Sequence, residues 1–234
     1  MLHIKGVKAG YGDINVLWGV DLKVEERDLV ALVGANGVGK STLLKTISGL
    51  ITPIEGDITF EGQSIVGART HEIVERGIIH IPEGRQLFAG LTVKENLKMG
   101  CYLRSDKESI RGDIEGVLEL LPRLRDRVNQ IAGTLSGGEQ QMCAIARGLM
   151  AKPKLLIIDE LSLGLAPVIT DLLIEVIQRI HGDGVTLLIV EQDIQMILEV
   201  CSRGYVMETG KIVIEGESAD LLQNEHVRKA YLGI

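Results

Sequence analysis

"LVALVGANGVGKST" (Leu29–Thr42) is the stretch that decides the fold. Five apolar residues in a row, Leu29 to Val33, suit a strand covered on both faces. The nine residues after them carry the spacing G-x-x-x-x-G-K-[ST], and Lys40 to about Gly49 reads as a helix. Glycines at 34, 37 and 39 let the backbone turn with its N–H groups pointing inward, a concave nest for phosphate oxygens. The helix start adds the positive end of its dipole. On this reading Gly34, Ala35, Asn36, Gly37, Val38 and Gly39 form the nest. Lys40 reaches the β and γ phosphates, the Ser41 hydroxyl holds Mg²⁺, and Thr42 bonds the α-phosphate. A glycine turn that only caps a helix would not require the apolar strand before it.

The second half of such a site is "LLIIDE" (Leu155–Glu160), an apolar strand ending in two carboxylates. Ligands of open α/β sheets sit at the carboxyl ends of strands. Asp159 is expected to hold the magnesium through a water, and Glu160 to act as general base on the attacking water. The same carboxylates could instead cap a following helix. Further strands are expected at 2–8, 16–24, 56–60, 78–82 and 186–190, and in the hairpin "YVMETGKIVIEG"; "VDLKV" (20–24) has the period of a half-buried strand. Helices dominate from about Gly84 to Lys152. Thr92 and Glu95 form a capping box, and Ile110, Ile114, Val117, Leu118 and Leu121 keep helical spacing. The tail "SADLLQNEHVRKAYLG" is expected to be one amphipathic helix. Strands interleaved with helices imply an α/β sheet with a helical insertion.

The 234 residues suffice for one large domain or two small lobes. A net charge of −7 without a long basic run disfavours binding to nucleic acid. Three scattered cysteines, Cys101, Cys143 and Cys201, contain no C-x-x-C pair, which argues for reduced thiols and against a zinc site. No window approaches the ~18 apolar residues of a membrane span, and a cytosolic protein is expected. To this point the residues support a phosphate-loop NTPase. A GTPase would need an N/T-K-x-D motif, which the chain lacks.

"TLSGGEQQMCAIARGLM" (Thr134–Met150) carries no obvious nucleophile. Ser136 and Glu139 make a second capping box, and Gly137 and Gly138 leave the first N–H groups of the helix uncovered, so its end can receive an anion. Met142, Ile145, Ala146 and Leu149 could equally line a core face of a buried helix. "LSGGEQQ" resembles the signature motif of the ATP-binding cassette family, placed between the phosphate loop and "LLIIDE" at that family's spacing. The resemblance covers essentially the whole chain. It implies a single ATPase domain over 1–234: a RecA-like phosphate-loop core with an antiparallel β subdomain (1–84 and 153–234) and an inserted α-helical subdomain (85–152). It also implies that two cassettes pair head to tail, so that Ser136, Gly137 and Gly138 of one close on the γ-phosphate held by the other. Tyr11, in "AGYGDI", matches the aromatic that stacks on adenine.

Several positions depart from the family pattern. Glu83 stands for the usual Gln, and is suited to Mg²⁺ or water rather than phosphate because an ionised carboxylate only accepts. Gln192 replaces the switch His; it can donate to a phosphate oxygen but does not change charge near neutral pH. Ala166, in "SLGLAP", replaces an Asp and removes a cross-interface carboxylate contact. Leu161 replaces a proline, and Arg27 a turn glycine. "EGRQLF", "SLGLAP" and the terminal "VRKAYLG" are similar to the subgroup that powers importers of branched-chain amino acids. That similarity implies a cytoplasmic protein held peripherally on the cytoplasmic face of the membrane, binding ATP and Mg²⁺. Its implied partners are a second cassette (identical or a paralogue), transmembrane permeases docked near Phe88 to Asn96, and indirectly a periplasmic solute-binding protein. A soluble cassette serving iron–sulfur assembly is the alternative.

Overall fold

In the structure of the protein, a computed structural model that describes residues 1–232, the run Leu29–Val33 is a strand with every residue buried. Along the chain the elements are β1 (Leu2–Tyr11), β2 (Ile14–Val24), β3 (Leu29–Val33), α1 (Lys40–Ile47), β4 (Glu55–Phe60), β5 (Gln63–Ser64), α2 (Thr70–Glu75) and β6 (Ile78–Ile81). A helical stretch follows with α3 (Val93–Gly100), α4 (Lys107–Leu120), α5 (Pro122–Arg125) and α6 (Gly137–Leu149). Next come β7 (Leu155–Asp159), α7 (Pro167–Gly182), β8 (Thr186–Glu191) and α8 (Ile194–Leu198). The hairpin β9 (Arg203–Glu208) and β10 (Lys211–Glu217) leads to α9 (Ser218–Gln223) and α10 (Glu225–Val227).

The chain divides into two compact units, Met1–Ile73 with Thr186 onward, and Val74–Val185. In the first, β2, β1, β4 and β5 form an antiparallel sheet in that order. The alternation read in "VDLKV" holds: Val20, Leu22 and Val24 are buried while Asp21 and Lys23 are exposed. β1 and β2 run longer than expected and close as a hairpin in which Tyr11 pairs with Ile14. Beside this sheet of the unit, β3 lies between β8 and β9 and parallel to both, with β10 antiparallel on β9.

In the second unit β6 and β7 pair in parallel, Ile78 opposite Leu155 through Ile81 opposite Ile158. α6 packs on them through Gly148, whose missing Cβ would lie 3.1 Å from the Ile81 side chain. α3 comes so close to α6 that a Cβ on Gly100 would sit 2.0 Å from the Arg147 carbonyl oxygen. The capping box read for α3 is present: Glu95 N donates to Thr92 Oγ1 at 3.2 Å, and Thr92 N to Glu95 Oε2 at 2.8 Å.

The tail differs from the single helix expected. It breaks at Asn224, whose backbone is extended and whose Oδ1 accepts from the N–H groups of His226 (2.9 Å) and Val227 (3.2 Å). A short polar side chain competes with the helix for its own backbone, so Asn restarts a helix more readily than it continues one. Gly233, at the end of the expected helix, lies outside the described residues. The three cysteines are buried and unbridged, and burial pushes the Cys143 thiol up to about 11 and that of Cys201 to about 12. Among the described residues no helix is long and apolar enough to cross a membrane.

Arg27 adopts φ 62 in the turn before β3, with its N–H on Thr186 Oγ1 at 2.9 Å. The left-handed region costs a residue with a Cβ about 1–2 kcal/mol. Arg27→Gly keeps that N–H and relieves the strain, less the entropy that glycine adds to the unfolded chain. A rise in stability of about 1 kcal/mol is expected, read as a higher urea midpoint at unchanged slope.

Candidate nucleotide-binding site

The predicted residues fall into two groups, one in each unit. In the first unit the loop Gly34–Gly39 leaves the buried end of β3 and enters α1. The hairpin end between β9 and β10 holds it closely. A Cβ on Gly34 would meet the Met207 carbonyl oxygen at 2.4 Å, and Gly210 N donates to Val38 O at 2.8 Å. Gly39, at φ 114, opens α1 without a side-chain cap and without an acidic residue in the first turn. Its N-terminal amides therefore meet no carboxylate from the helix itself, and the dipole's positive end faces the loop. Lys40 is buried, and its Nζ donates to Gly34 O at 2.7 Å and Ala35 O at 3.1 Å. A buried ammonium needs such acceptors, and a phosphate oxygen is a better one because it is charged. Ser41 and Thr42 follow on the first turn. Ala35, Asn36 and Gly37 are exposed at the loop's tip. A loop of this shape with a cation folded over it fits a polyphosphate.

Gln192 lies beside this loop. Glu191, the last residue of β8, is the register partner of Val33, the last residue of β3, so Gln192 and Gly34 leave the same sheet edge side by side. Gln192 is exposed, and its N–H donates to Glu191 Oε2 at 3.0 Å. Glu191 itself is only 2% exposed. Like Asp159, it ends an apolar strand, which is the sequence signal for it. Tyr11 is half exposed at the β1–β2 turn, with the Lys45 ammonium of α1 5.8 Å from its ring centroid.

In the second unit Asp159 ends β7 at 3% exposure, and Glu160 follows with φ 53. Neither caps a helix, since α7 begins only at Pro167 with Ala166 as its N-cap. Left-handed backbone at a residue other than glycine costs energy and concentrates at functional positions. Glu83 is exposed, beyond the end of β6.

Ser136 is the exposed N-cap of α6. Its Oγ accepts from Glu139 N at 3.3 Å, and its N–H donates to Glu139 Oε2 at 2.9 Å. These hydrogen bonds, with Arg127 Nε 3.2 Å from Oε1, hold the Glu139 carboxyl below the usual carboxylate range. The Ser136 hydroxyl contributes to that lowering as well. Gly137 and Gly138 contribute amides, and a Cβ on Gly138 would lie 2.5 Å from Ile169 Cγ2. Behind this open end Met142, Ile145 and Ala146 are fully buried. The core-face reading holds for these three residues, while Leu149 is half-buried.

A family model described as ABC transporter matches residues 17–162. The chain belongs to the ABC transporter family. Cassettes of this family bind and hydrolyse ATP, and this one is an ATPase. The cassette is similar to the high-affinity branched-chain amino acid transport ATP-binding protein BraG of Pseudomonas aeruginosa, at 47% identity over 233 residues and 100% of both chains. It also resembles a crystal structure of an ATP-binding cassette of an ABC transporter in its ADP conformation, at 29% identity, covering 100% of this chain and 99% of that one, with a TM-score of 0.88. A bacterial ABC transporter cassette solved as a dimer matches at 25% identity over 93% of this chain and 99% of its own, with a TM-score of 0.82.

Ala166 has a consequence in the cassette that the sequence did not disclose. As N-cap of α7 it offers no side-chain acceptor, and Pro167 occupies the first helical position. Ala166→Asp supplies the missing cap and is expected to stabilise the cassette by about 1 kcal/mol, measured as a shift in urea midpoint.

Proposed function

We propose that this cassette is the ATP-hydrolysing subunit of an importer for branched-chain amino acids, working as a pair, with an identical copy or a paralogue, beneath membrane permeases. The observation that carries the reading is the similarity to BraG along the entire chain. The unlike ends of α1 and α6 support a paired mechanism. α1 meets the loop Gly34–Gly39 with no cap, as a triphosphate cradle needs. α6 carries its own cap, with a serine hydroxyl and two glycine amides at that end. One chain thus contributes a cradle to its own ATP and the end of α6 to the ATP of its partner.

The roles follow from donor and acceptor chemistry. Tyr11 stacks on the adenine. The amides of the loop and Lys40 bind the β and γ phosphates, and Thr42 the α-phosphate. Ser136, Gly137 and Gly138 donate to the γ-phosphate across the pair. Glu160 takes the proton of the attacking water. Gln192 donates its amide N–H to a γ-phosphate oxygen and carries no proton away. Ser41 and Asp159 would hold Mg²⁺, with Glu83 facing it or a bound water, and the ion would neutralise charge on the β and γ oxygens. Among the described residues no group of three or more His, Cys, Asp or Glu could cage a metal. That suits a cation that retains waters and phosphate oxygens as ligands.

Closure of the pair on two ATP molecules is the power stroke, and hydrolysis reopens it. The segment 85–152 forms the lobe that meets the permeases and 1–84 with 153–234 the nucleotide core. Phe88, 46% exposed, stands where docking is placed. The cassette then works on the cytoplasmic face of the membrane, and a periplasmic binding protein selects the solute.

Two substitutions test this. Glu160→Gln is expected to give a stable dimer in saturating ATP and to lower turnover about 100-fold or more; light scattering that finds monomer alone overturns the reading. Ser136→Arg is expected to abolish hydrolysis while dilute protein binds a fluorescent ATP analogue within about twofold of wild type. A collapse of affinity at dilution would place Ser136 in the chain's own site instead.

A further inference from the structure

Glu83 opens a loop whose next residues are held in an unusual way. Arg85 and Gln86 are consecutive and both left-handed, at φ 67 and 43. Such strain persists only where the surroundings over-determine it. Here they do: Arg147 of α6 donates through Nη1 to Gln86 O at 2.8 Å and through Nη2 to Arg85 O at 3.2 Å, and lies 5.5 Å from the ring centroid of Phe88. The turn aims the Arg85 side chain toward the opposite end of α6. Its Nη1 lies 3.4 Å from Gln140 Oε1 and its Nη2 3.4 Å from Leu163 O, in the loop that follows Glu160. A Cβ on Gly137 would lie 3.3 Å from the same guanidinium. Gln140 is itself fixed, because its Nε2 donates to Leu135 O at 3.2 Å, one residue before Ser136.

The contacts form a chain. Arg147 and Gln140 are seven residues apart on α6, about 10 Å along the helix, and the loop 83–88 is fastened at both places. We propose that Arg85 is a positioning residue for the half-site at Ser136: its guanidinium ties α6 and the Leu163 carbonyl to the loop that carries Glu83. On the paired reading above, on which this rests, Glu83 answers to the chain's own nucleotide while Ser136 answers to the partner's. Arg85 then makes ATP in one site set the position of the donor that completes the other. Lysine is a poor substitute, since one ammonium does not present the planar fork that reaches two acceptors.

The test compares wild type, Arg85→Ala, Arg85→Lys, Gln140→Ala and the double variant. The readouts are steady-state ATPase across a protein dilution series, the Hill coefficient in ATP, affinity of dilute protein for a fluorescent ATP analogue, and the thermal midpoint. Arg85→Ala is expected to lower kcat about tenfold and to bring the Hill coefficient to about 1, with dilute affinity within about twofold and an unchanged midpoint; Arg85→Lys restores less than half of kcat. The double variant is expected to be no worse than Arg85→Ala, because both changes cut one link. Full turnover and cooperativity in Arg85→Ala overturn the proposal, as do multiplicative losses in the double variant. Should Arg85→Ala fold poorly, Gln140→Ala carries the same expectation from the other side of the contact. A wild-type rate per subunit that stays constant on dilution defeats the paired reading itself, and this outcome is separable from any effect of Arg85.

Discussion

A helix begins with amides that have no partner inside it, and the two ways this chain treats that constraint organise its site. At α6 the shortage is met from within: Ser136 and Glu139 exchange hydrogen bonds, and Arg127 neutralises the carboxylate. At α1 it is left open, with glycine at the cap and no acid in the first turn. An open end with a buried lysine folded over its loop favours a highly charged anion. A capped end favours an oxygen already bound elsewhere, to which a hydroxyl and two amides add the last contacts. The difference in capping matches the difference in proposed role, a primary cradle against a closing contact. It also explains why Ser136 belongs at that cap: a residue without a hydroxyl loses both the structural bond and the donor.

Backbone strain is distributed with the same economy. Glu160 and Arg85 both stand at positive φ in the second unit, and each directs a side chain that the proposed chemistry needs. Neither position holds glycine, which would accept the angle at no cost.

Much of this was legible in the sequence because it is local. The cradle, the two capping boxes, the buried run of β3 and the alternation in β2 are all set by neighbours within a few residues, and each appears where the pattern placed it. The break at Asn224 has a local signal too, in the residue's preference for a cap, but the apolar spacing around it favours one continuous helix. Arg85 could not be read this way. Its partners lie 55 and 78 residues away, and a charged residue in a polar turn reads as a solvated one. Glu191 was hidden differently: its register with Val33 exists only once β8 lies against β3.

The replacement of histidine by Gln192 bears on how such a site can run. A histidine beside the cradle would bring charge that depends on pH; glutamine brings only a dipole, and its backbone amide already engages a buried carboxylate. With the proton-carrying option gone on that side, the proposed reading leaves proton transfer from the attacking water to Glu160. Its angle is strained, and the loop after it is touched by Arg85 at Leu163 O. On the proposed reading, closing the pair then moves the loop after Glu160 together with α6.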